Sequence, residues 1–440
     1  MTANSKDSSN QTETVRYSRE LPVRWDVDVA VIGGGFAGVC AACAAAESGA
    51  SVILVERFAT AGGVMTNGGV NNFSGETGGQ GRVFDEITAR LAAFGAIAPY
   101  MPWTPFGPER GFDHEVLKSV LQEVLLSRGV RVLLHCRFVD VAVAAGGRLD
   151  TLVLSGASGP EGLRAKQFID CTGEAELAFL AGCETLKGRP GDGLQLPMSF
   201  MYFVREVDEA DRACQVPDEG QPRIASEADL PMTTVWPNGP RSKAIKIKIV
   251  GHDSTDTESL SRAEIAGRRR MLQVLDFHQR QQGKPWRLSY PSPVIGIREG
   301  RRVVGDYVLA ESDVRAGRAF DDGVAVGTYY LDAHEPSTDK RVNVIQDPER
   351  RRVPPYHIPL RCLVARDADN LWMAGRNVSS DFFALSSARV APTCAMMGQA
   401  AGVAAALAVR HGLSAHAVPA AEVRRILLDR GARLELRKEP

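Results

Sequence analysis

Apolar positions in this chain are grouped in two different ways. Asp26-Val27-Asp28-Val29-Ala30-Val31-Ile32 is short, β-branched and bounded, and it reads as a buried strand. Gly33-Gly34-Gly35-Phe36-Ala37-Gly38 follows at once, then a helix of small residues from Val39 to Ser48 that ends at Gly49. A second strand, Ser51 to Val55, ends at Glu56. Further helix and strand segments are predicted at His114–Ser127, Val130–Val139 and Phe168–Asp170, the last running into Thr172-Gly173. A late strand, Asn370–Ala374, ends at Gly375 and leads to a small-residue helix from about Pro392 to Val409. Between about 185 and 358 the pattern changes to short alternating stretches, such as Ser199–Val204 and Ala244–Val250. Alternation of this kind predicts antiparallel strands. A polar helix is predicted from about Ser259 to Gln282, and irregular loops at Val216–Pro222 and Pro231–Pro240. The sum is an α/β fold interrupted by a mainly antiparallel β insert, without internal repeats.

The first motif has a physical rationale at each position. A strand, a glycine turn, a small-residue helix, a strand and a terminal acid together make a dinucleotide-binding βαβ unit. Gly33 serves the tight turn, Gly35 lets the backbone approach a pyrophosphate, and Gly38 lets the helix lie close on the sheet. The helix N-terminus offers unpaired N–H groups and the positive end of its dipole to that anion. Glu56 can accept hydrogen bonds from an adenosine ribose, and its charge disfavours a 2′-phosphate. Cys40 and Cys43 lie in this helix with redox-motif spacing, but they read as small packing residues.

Composition narrows the setting. The chain has 440 residues, 52 Lys+Arg against 53 Asp+Glu, and 44% hydrophobic residues. That balance suits a globular protein of two or three domains and gives no basic excess for a nucleic-acid partner. Eight scattered cysteines form no disulfide framework, which predicts a reducing, cytoplasmic home. Met1 to Arg24 lacks an apolar signal-peptide core and reads as a disordered tail. The stretch Val27–Ala46 is broken by Asp28 and three glycines, so no membrane span is expected. No His/Cys/Asp/Glu grouping has metal-site spacing, and no metal is expected.

Several segments together resemble a known family. Beside the glycine motif and Glu56 stand Asp170-Cys171-Thr172-Gly173-Glu174, Ile295-Gly296-Ile297-Arg298-Glu299-Gly300-Arg301-Arg302-Val303 and Tyr356-His357-Ile358-Pro359-Leu360-Arg361. The most specific is Ala374-Gly375-Arg376-Asn377 continued by Arg389-Val390-Ala391-Pro392-Thr393-Cys394 through Gly402. From residue 25 to 432 the chain resembles the FAD-dependent oxidoreductases with a glutathione-reductase-type, three-layer, Rossmann-like FAD-binding domain. The resemblance implies a division into 25–184 and 359–440 for the two parts of the FAD-binding domain, with a substrate or cap domain at 185–358. It further implies that Gly33, Gly35, Phe36, Ala37, Gly38, Glu56, Arg57, Gly63, Val64 and Met65 bind the cofactor, with the glycine turn at its pyrophosphate and Glu56 at its adenosine ribose. Val139 would meet adenine through its backbone, and Thr172 and Gly173 would form a second loop along FAD. Gly375, Arg376, Pro392, Met397 and Gly398 would lie at the flavin end.

What the chain lacks narrows the chemistry. Met65 and Val70 stand where disulfide reductases of this superfamily carry their cysteine pair, and no second glycine fingerprint for NADPH is present. Gly375-Arg376 replaces the Gly-Asp of aromatic hydroxylases. No His precedes His114, so the flavin is expected to be noncovalent. The expected activity is that of a dehydrogenase or oxidase. It would take a hydride from a small alcohol, amine or activated C–H compound and pass electrons to molecular oxygen or another acceptor. A homo-oligomer is compatible with this reading. The alternatives are a flavin monooxygenase or reductase with an external reductant, and a non-catalytic flavin-fold binding protein. His357, where the insert returns, is the expected base, with Tyr356 as proton relay and Arg361 as substrate-carboxylate partner. Arg298 is expected in a charge network with Glu299, Arg301 and Arg302, and His334 and His252 are expected to be solvated.

Overall fold

The computed structural model describes residues 14–101, 109–208 and 223–436. Strand β1 (Val23–Ile32) runs through the glycine turn into α1 (Phe36–Glu47) and on to β2 (Val52–Val55). Helices α2 (Arg82–Ala93) and α3 (His114–Leu126) follow, then β3 (Arg131–Leu133). The Asp113 carboxylate starts α3 by accepting the N–H of Glu115 at 2.9 Å, as an N-cap should. Next come β4 (Arg137–Val143), β5 (Leu149–Gly156) and the long β6 (Gly159–Asp170). Strands β3, β2, β1 and β6 lie side by side and parallel, while β5 and β4 continue from the first half of β6 as antiparallel neighbours.

Alternation along β1 assigns its side chains to two different cores. Val29 and Val31 join the helical layer, whereas Ala30 and Ile32 meet Phe138, Leu152 and Leu154 of the β4–β5 hairpin. Both faces of the strand are covered, which is why its sequence is an almost unbroken apolar run. The expected tail 1–24 ends earlier than its composition suggests. Residues 1–13 lie outside the described residues, and Val23 already pairs with Gly162.

The insert is built from β7 (Met198–Glu206), β8 (Thr233–Pro237), β9 (Ser242–Ile249), α4 (Thr257–Arg280) and β10 (Trp286–Pro291). Its sheet is antiparallel in the order β8-β9-β7-β10. Phe200, Tyr202, Ile245 and Ile247 pack on Ala263, Val274 and Leu275 of α4. The alternate residues Met201 and Lys246, paired across β7 and β9, face the main body of the protein. The predicted loop Val216–Pro222 lies outside the described residues.

The chain then returns through the ribbon β11 (Gly323–Gly327) and β12 (Tyr356–Pro359) to β13 (Leu371–Met373), which adds to β6 in parallel. Val324, Ala325, Tyr356 and Ile358 share a core with α1, so the chain rejoins that core well before residue 359. Helix α5 (Ala391–His411) closes the core. It is long and apolar enough to cross a membrane, but it is buried inside the protein. Its glycines set how near it comes to α1. A Cβ at Gly398 would lie 2.2 Å from the Ala37 carbonyl oxygen, and one at Gly402 would lie 2.2 Å from that of Ala41.

Backbone atoms cannot retreat as a side chain can, so Gly402→Ala should force the two helices apart. The expected cost is about 1–3 kcal/mol, the usual size of overpacking in a filled core. It should appear as a lower midpoint in thermal or urea unfolding, and an unchanged midpoint would contradict this account of the helix contact.

Candidate active site

One cavity of about 1180 Å³ runs along the seam, from the glycine turn after β1 to the inner face of the insert's sheet. The turn is shaped by three glycines with different surroundings. Gly33 has φ +96°, and a Cβ there would lie 2.4 Å from the Cys171 carbonyl oxygen. A Cβ at Gly38 would lie 2.0 Å from the Gly33 carbonyl oxygen. At Gly35 it would meet only the Cys171 carbonyl oxygen, at 3.8 Å, because this residue faces the cavity. Glu56 sits at the cavity wall behind the turn. Its two carboxylate oxygens accept the N–H groups of Gly34 and Phe58, both at 2.8 Å. Burial raises its pKa, against the pull of those same hydrogen bonds.

A second loop is fixed by Asp170 at the end of β6. One of its oxygens accepts from the Thr172 N–H at 3.0 Å and from the Thr172 hydroxyl at 2.7 Å. The other accepts from the Ala178 N–H at 3.0 Å. Burial pushes Asp170 up to about 6. The loop then presents Glu174, which pairs closely with Arg376 and more distantly, at 3.7 Å, with Arg57. Gly33, Phe36, Ala37, Arg57, Gly63, Val64, Met65, Thr172, Gly173, Gly375 and Arg376 all line the cavity. At its flavin-expected end Val390, Ala391 and Cys394 bring the start of α5 to the wall.

Five expected cofactor residues lie behind this wall rather than on it. Gly38 and Gly398 serve close packing of α1, as their Cβ contacts show. Val139 is the bulged residue of β4, and Cys136, Arg137 and Phe138 line the cavity in its place. Pro392 and Met397 are turned away from the cavity, with Met397 fully buried in the core. Cys394 holds no thiolate. Burial pushes it up to about 12, and its thiol lies 3.3 Å from the Arg389 carbonyl oxygen.

The expected base is misplaced. The ring of His357 is buried beside the β11–β12 ribbon, where Nδ1 accepts from the Phe320 N–H at 3.0 Å and Nε2 donates to the Leu434 carbonyl at 2.7 Å. Both nitrogens are used in anchoring the C-terminal segment, and the residue does not reach the cavity. Tyr356 is fully buried and donates to the Ser387 hydroxyl at 2.8 Å. Arg361 is outside the cavity, on the surface, and pairs with Asp322 at 2.9 Å. None of the three reaches the cavity: β12 carries Tyr356 and His357 into the core, and Arg361, just past the strand, turns to the surface.

The titratable groups at the insert end come from elsewhere. Asp332 accepts a hydrogen bond from Arg389 at 2.7 Å, and Arg298 lies 3.7 Å away. His334 places Nε2 3.2 Å from the other Asp332 oxygen and leaves Nδ1 buried without a partner. Lys246 of β9, Trp236, Tyr329 and Tyr330 complete this end. The expected Arg298–Glu299 network is divided. Glu299 pairs with Arg302 and accepts from the Gly188 and Leu196 N–H groups, while Arg298 turns to the cavity and donates to Ser199 Oγ. His334 is 9% exposed rather than solvated, since the loop carrying it is folded beneath the insert. Only the proximity of Asp332 and His334 in sequence hinted at this pair.

The family profile described as FAD dependent oxidoreductase matches residues 28–427. The chain belongs to that family. No curated protein matches it. Among solved structures, it is similar to a geranylgeranyl bacteriochlorophyll reductase-like protein from Thermoplasma acidophilum. That likeness has 13% identity and a TM-score of 0.51, covering 93% of this chain and 85% of the other. It is also similar to p-nitrophenol 4-monooxygenase from Pseudomonas putida DLL-E4, at 12% identity and TM-score 0.45, covering 93% and 87%. The first likeness shows the shared fold.

The residues present fit the family's cofactor. The open side of Gly35, the unpaired N–H groups at the start of α1 and the free lone pairs of Glu56 form a cradle for a pyrophosphate and its ribose. This FAD-dependent oxidoreductase should lose cofactor when that cradle is filled or stripped. Gly35→Val and Glu56→Ala should each lower FAD occupancy in the purified protein without unfolding the insert. Full flavination of both variants at wild-type affinity would overturn this placement.

Proposed function

We propose that this enzyme is a dehydrogenase or oxidase of a small organic substrate bound between Lys246, Arg298 and the Asp332–His334 pair. The observation that carries the reading is the continuity of the cavity: the dinucleotide cradle and the insert's titratable groups line one space. The bound cofactor supplies a two-electron sink: the substrate loses a hydride from carbon and a proton from its hydroxyl or amine, a C=O or C=N bond forms, and oxygen or another acceptor later takes the electrons.

The chain's own residues supply orientation and proton handling. His334 is the proposed proton acceptor. Asp332 holds its Nε2 side, which fixes the tautomer and leaves Nδ1 buried with no hydrogen-bond partner among the described residues. Burial lowers the ring's pKa to about 3, and the cations Arg298, Lys246 and Arg389 add to that effect. The imidazole is therefore neutral throughout the physiological range, and without a bound substrate it is a weak base. Asp332 stays ionised, held down at about 2 by the neighbouring Arg389 and Arg298 despite its burial. Met201, Trp236 and Tyr329 give this end largely apolar walls. FAD is held without a covalent link, and no His lies in the chain before His114.

A screen of alcohols and amines for anaerobic bleaching of the flavin tests the reading directly. With a donor in hand, His334→Asn should slow flavin reduction by about two to four decades, the usual worth of a general base. FAD content should stay at the wild-type level, and acid precipitation should release all of the flavin. His357→Ala should instead retain the reduction rate per folded flavoprotein and lower the melting temperature. A wild-type reduction rate in His334→Asn would remove this residue from the chemistry.

A further inference from the structure

Resting on that reading of the same cavity, we infer that its insert end is a seat for a substrate carboxylate, so that the substrates are small organic acids. The argument begins with a charge imbalance. Lys246, Arg298 and Arg389 arrive from three separate parts of the chain and converge around one acid, Asp332. Asp332 accepts a hydrogen bond from Arg389 and has Arg298 at 3.7 Å. Arg298 gives Nε and Nη2 to the neutral hydroxyl of Ser199, at 3.0 and 2.9 Å, which leaves its charge without a full partner. Lys246 donates no hydrogen bond among the described residues. Its ammonium instead lies 5.8 Å from the centre of the Trp236 ring.

Asp332 and Glu109 are the carboxylates facing Lys246, Arg298, Arg389 and Arg341, so cationic side chains outnumber acids at this end. Enclosed charges without compensation are costly, so their retention is explained by an anion that belongs there. Several polar atoms at this end are also unused. Thr234 Oγ1, His334 Nδ1, Asn343 Oδ1, Arg351 Nε and Arg389 Nε are buried and have no hydrogen-bond partner among the described residues, and all five residues line the cavity. Buried polar groups are rarely left unpaired, and a cluster of them in one cavity points to a polar ligand. The aromatic walls of Trp236, Tyr329 and Tyr330 suit an organic body attached to the anion rather than a bare inorganic ion.

Titration adds a second signature. Burial is the chief cause that lowers Lys246 to about 7, with Arg298, Arg389 and Arg341 contributing and Asp332 opposing. Glu109 and His334 also face it. Asp332 and His334, at about 2 and about 3, do not titrate near neutrality. When a carboxylate binds beside Lys246, the Lys246 amine takes up a proton and becomes ammonium, while the ligand stays an anion. The same negative charge offsets the field of the three cations at His334 and raises its basicity, so that binding an acid prepares the acceptor for the reaction.

The test uses oxidised holoenzyme and calorimetric titration with benzoate, its neutral analogue benzamide, and inorganic phosphate. Benzoate should bind at least about tenfold tighter than the other two. In two buffers of different ionisation enthalpy at pH 7.5, its binding should show net proton uptake. Its affinity should be greatest below pH 7 and fall by about tenfold per pH unit above it, the limit for one required proton. Lys246→Met should weaken benzoate binding at least about tenfold and abolish the uptake, whereas Lys246→Arg should keep the affinity without the pH dependence. Benzamide binding as well as benzoate would overturn the inference, as would phosphate binding as tightly. The wild-type comparisons decide the matter even where a Lys246 variant does not fold. Failure of the oxidoreductase reading is distinguishable: benzoate would still bind as described while no donor bleached the flavin.

Discussion

The close approach of backbone to backbone around α1 is the constraint on which this molecule depends. Gly33 and Gly38 let the turn after β1 lie against Cys171 and against itself, and Gly398 and Gly402 let α5 lie on the carbonyls of α1. Methyl groups at these places would overlap backbone atoms that cannot move aside. With them absent, the starts of α1 and α5 are brought to one elongated cavity. The same packing positions the Thr172–Gly173 loop, which Asp170 then fixes through hydrogen bonds to its backbone and hydroxyl. A cofactor cradle made in this way is largely backbone, so its geometry is set by chain paths rather than by side-chain rotamers.

The insert contributes the opposite kind of surface. Its sheet places Phe200, Tyr202, Ile245 and Ile247 on α4 and directs Met201 and Lys246 to the seam. Two buried ion pairs in the molecule illustrate different uses of charge. Glu299 and Arg302 satisfy each other and surrounding backbone groups, and thereby tie the insert to the main body. Asp332 is shared between Arg298 and Arg389 with Lys246 nearby, and this group is incompletely compensated. The first arrangement is structural because nothing is left unpaired. The second is suited to a ligand because the protein alone does not complete it.

Much of the cofactor half was legible from the residues. The short, almost unbroken apolar run of β1, the glycine spacing and Glu56 are local features, and each acts within a few residues of its neighbours in the βαβ unit. The alternation Ala244-Ile245-Lys246-Ile247-Lys248-Ile249 likewise predicts an antiparallel strand. A polar face in such a strand is ordinarily expected to meet bulk water, and here Lys246 lines the cavity at the seam. The sequence contains the alternation but not the identity of the opposing surface.

The histidines show the same division. His357 was attractive as a base because it stands where the insert rejoins the main body, but position along the chain does not state which way a ring points. The pairing of β12 with β11 carries it into the core, where Phe320 and Leu434 occupy its nitrogens. Polar residues around His334 in sequence predict a solvated ring, whereas folding of its loop beneath the insert buries it beside Asp332. The sequence by itself determined the dinucleotide motif, the two strand patterns and the family. Tertiary structure alone decided which charges meet across the seam, because Lys246, Arg298, Asp332 and Arg389 are distant in the chain and their shared field exists only once the cavity has closed around them.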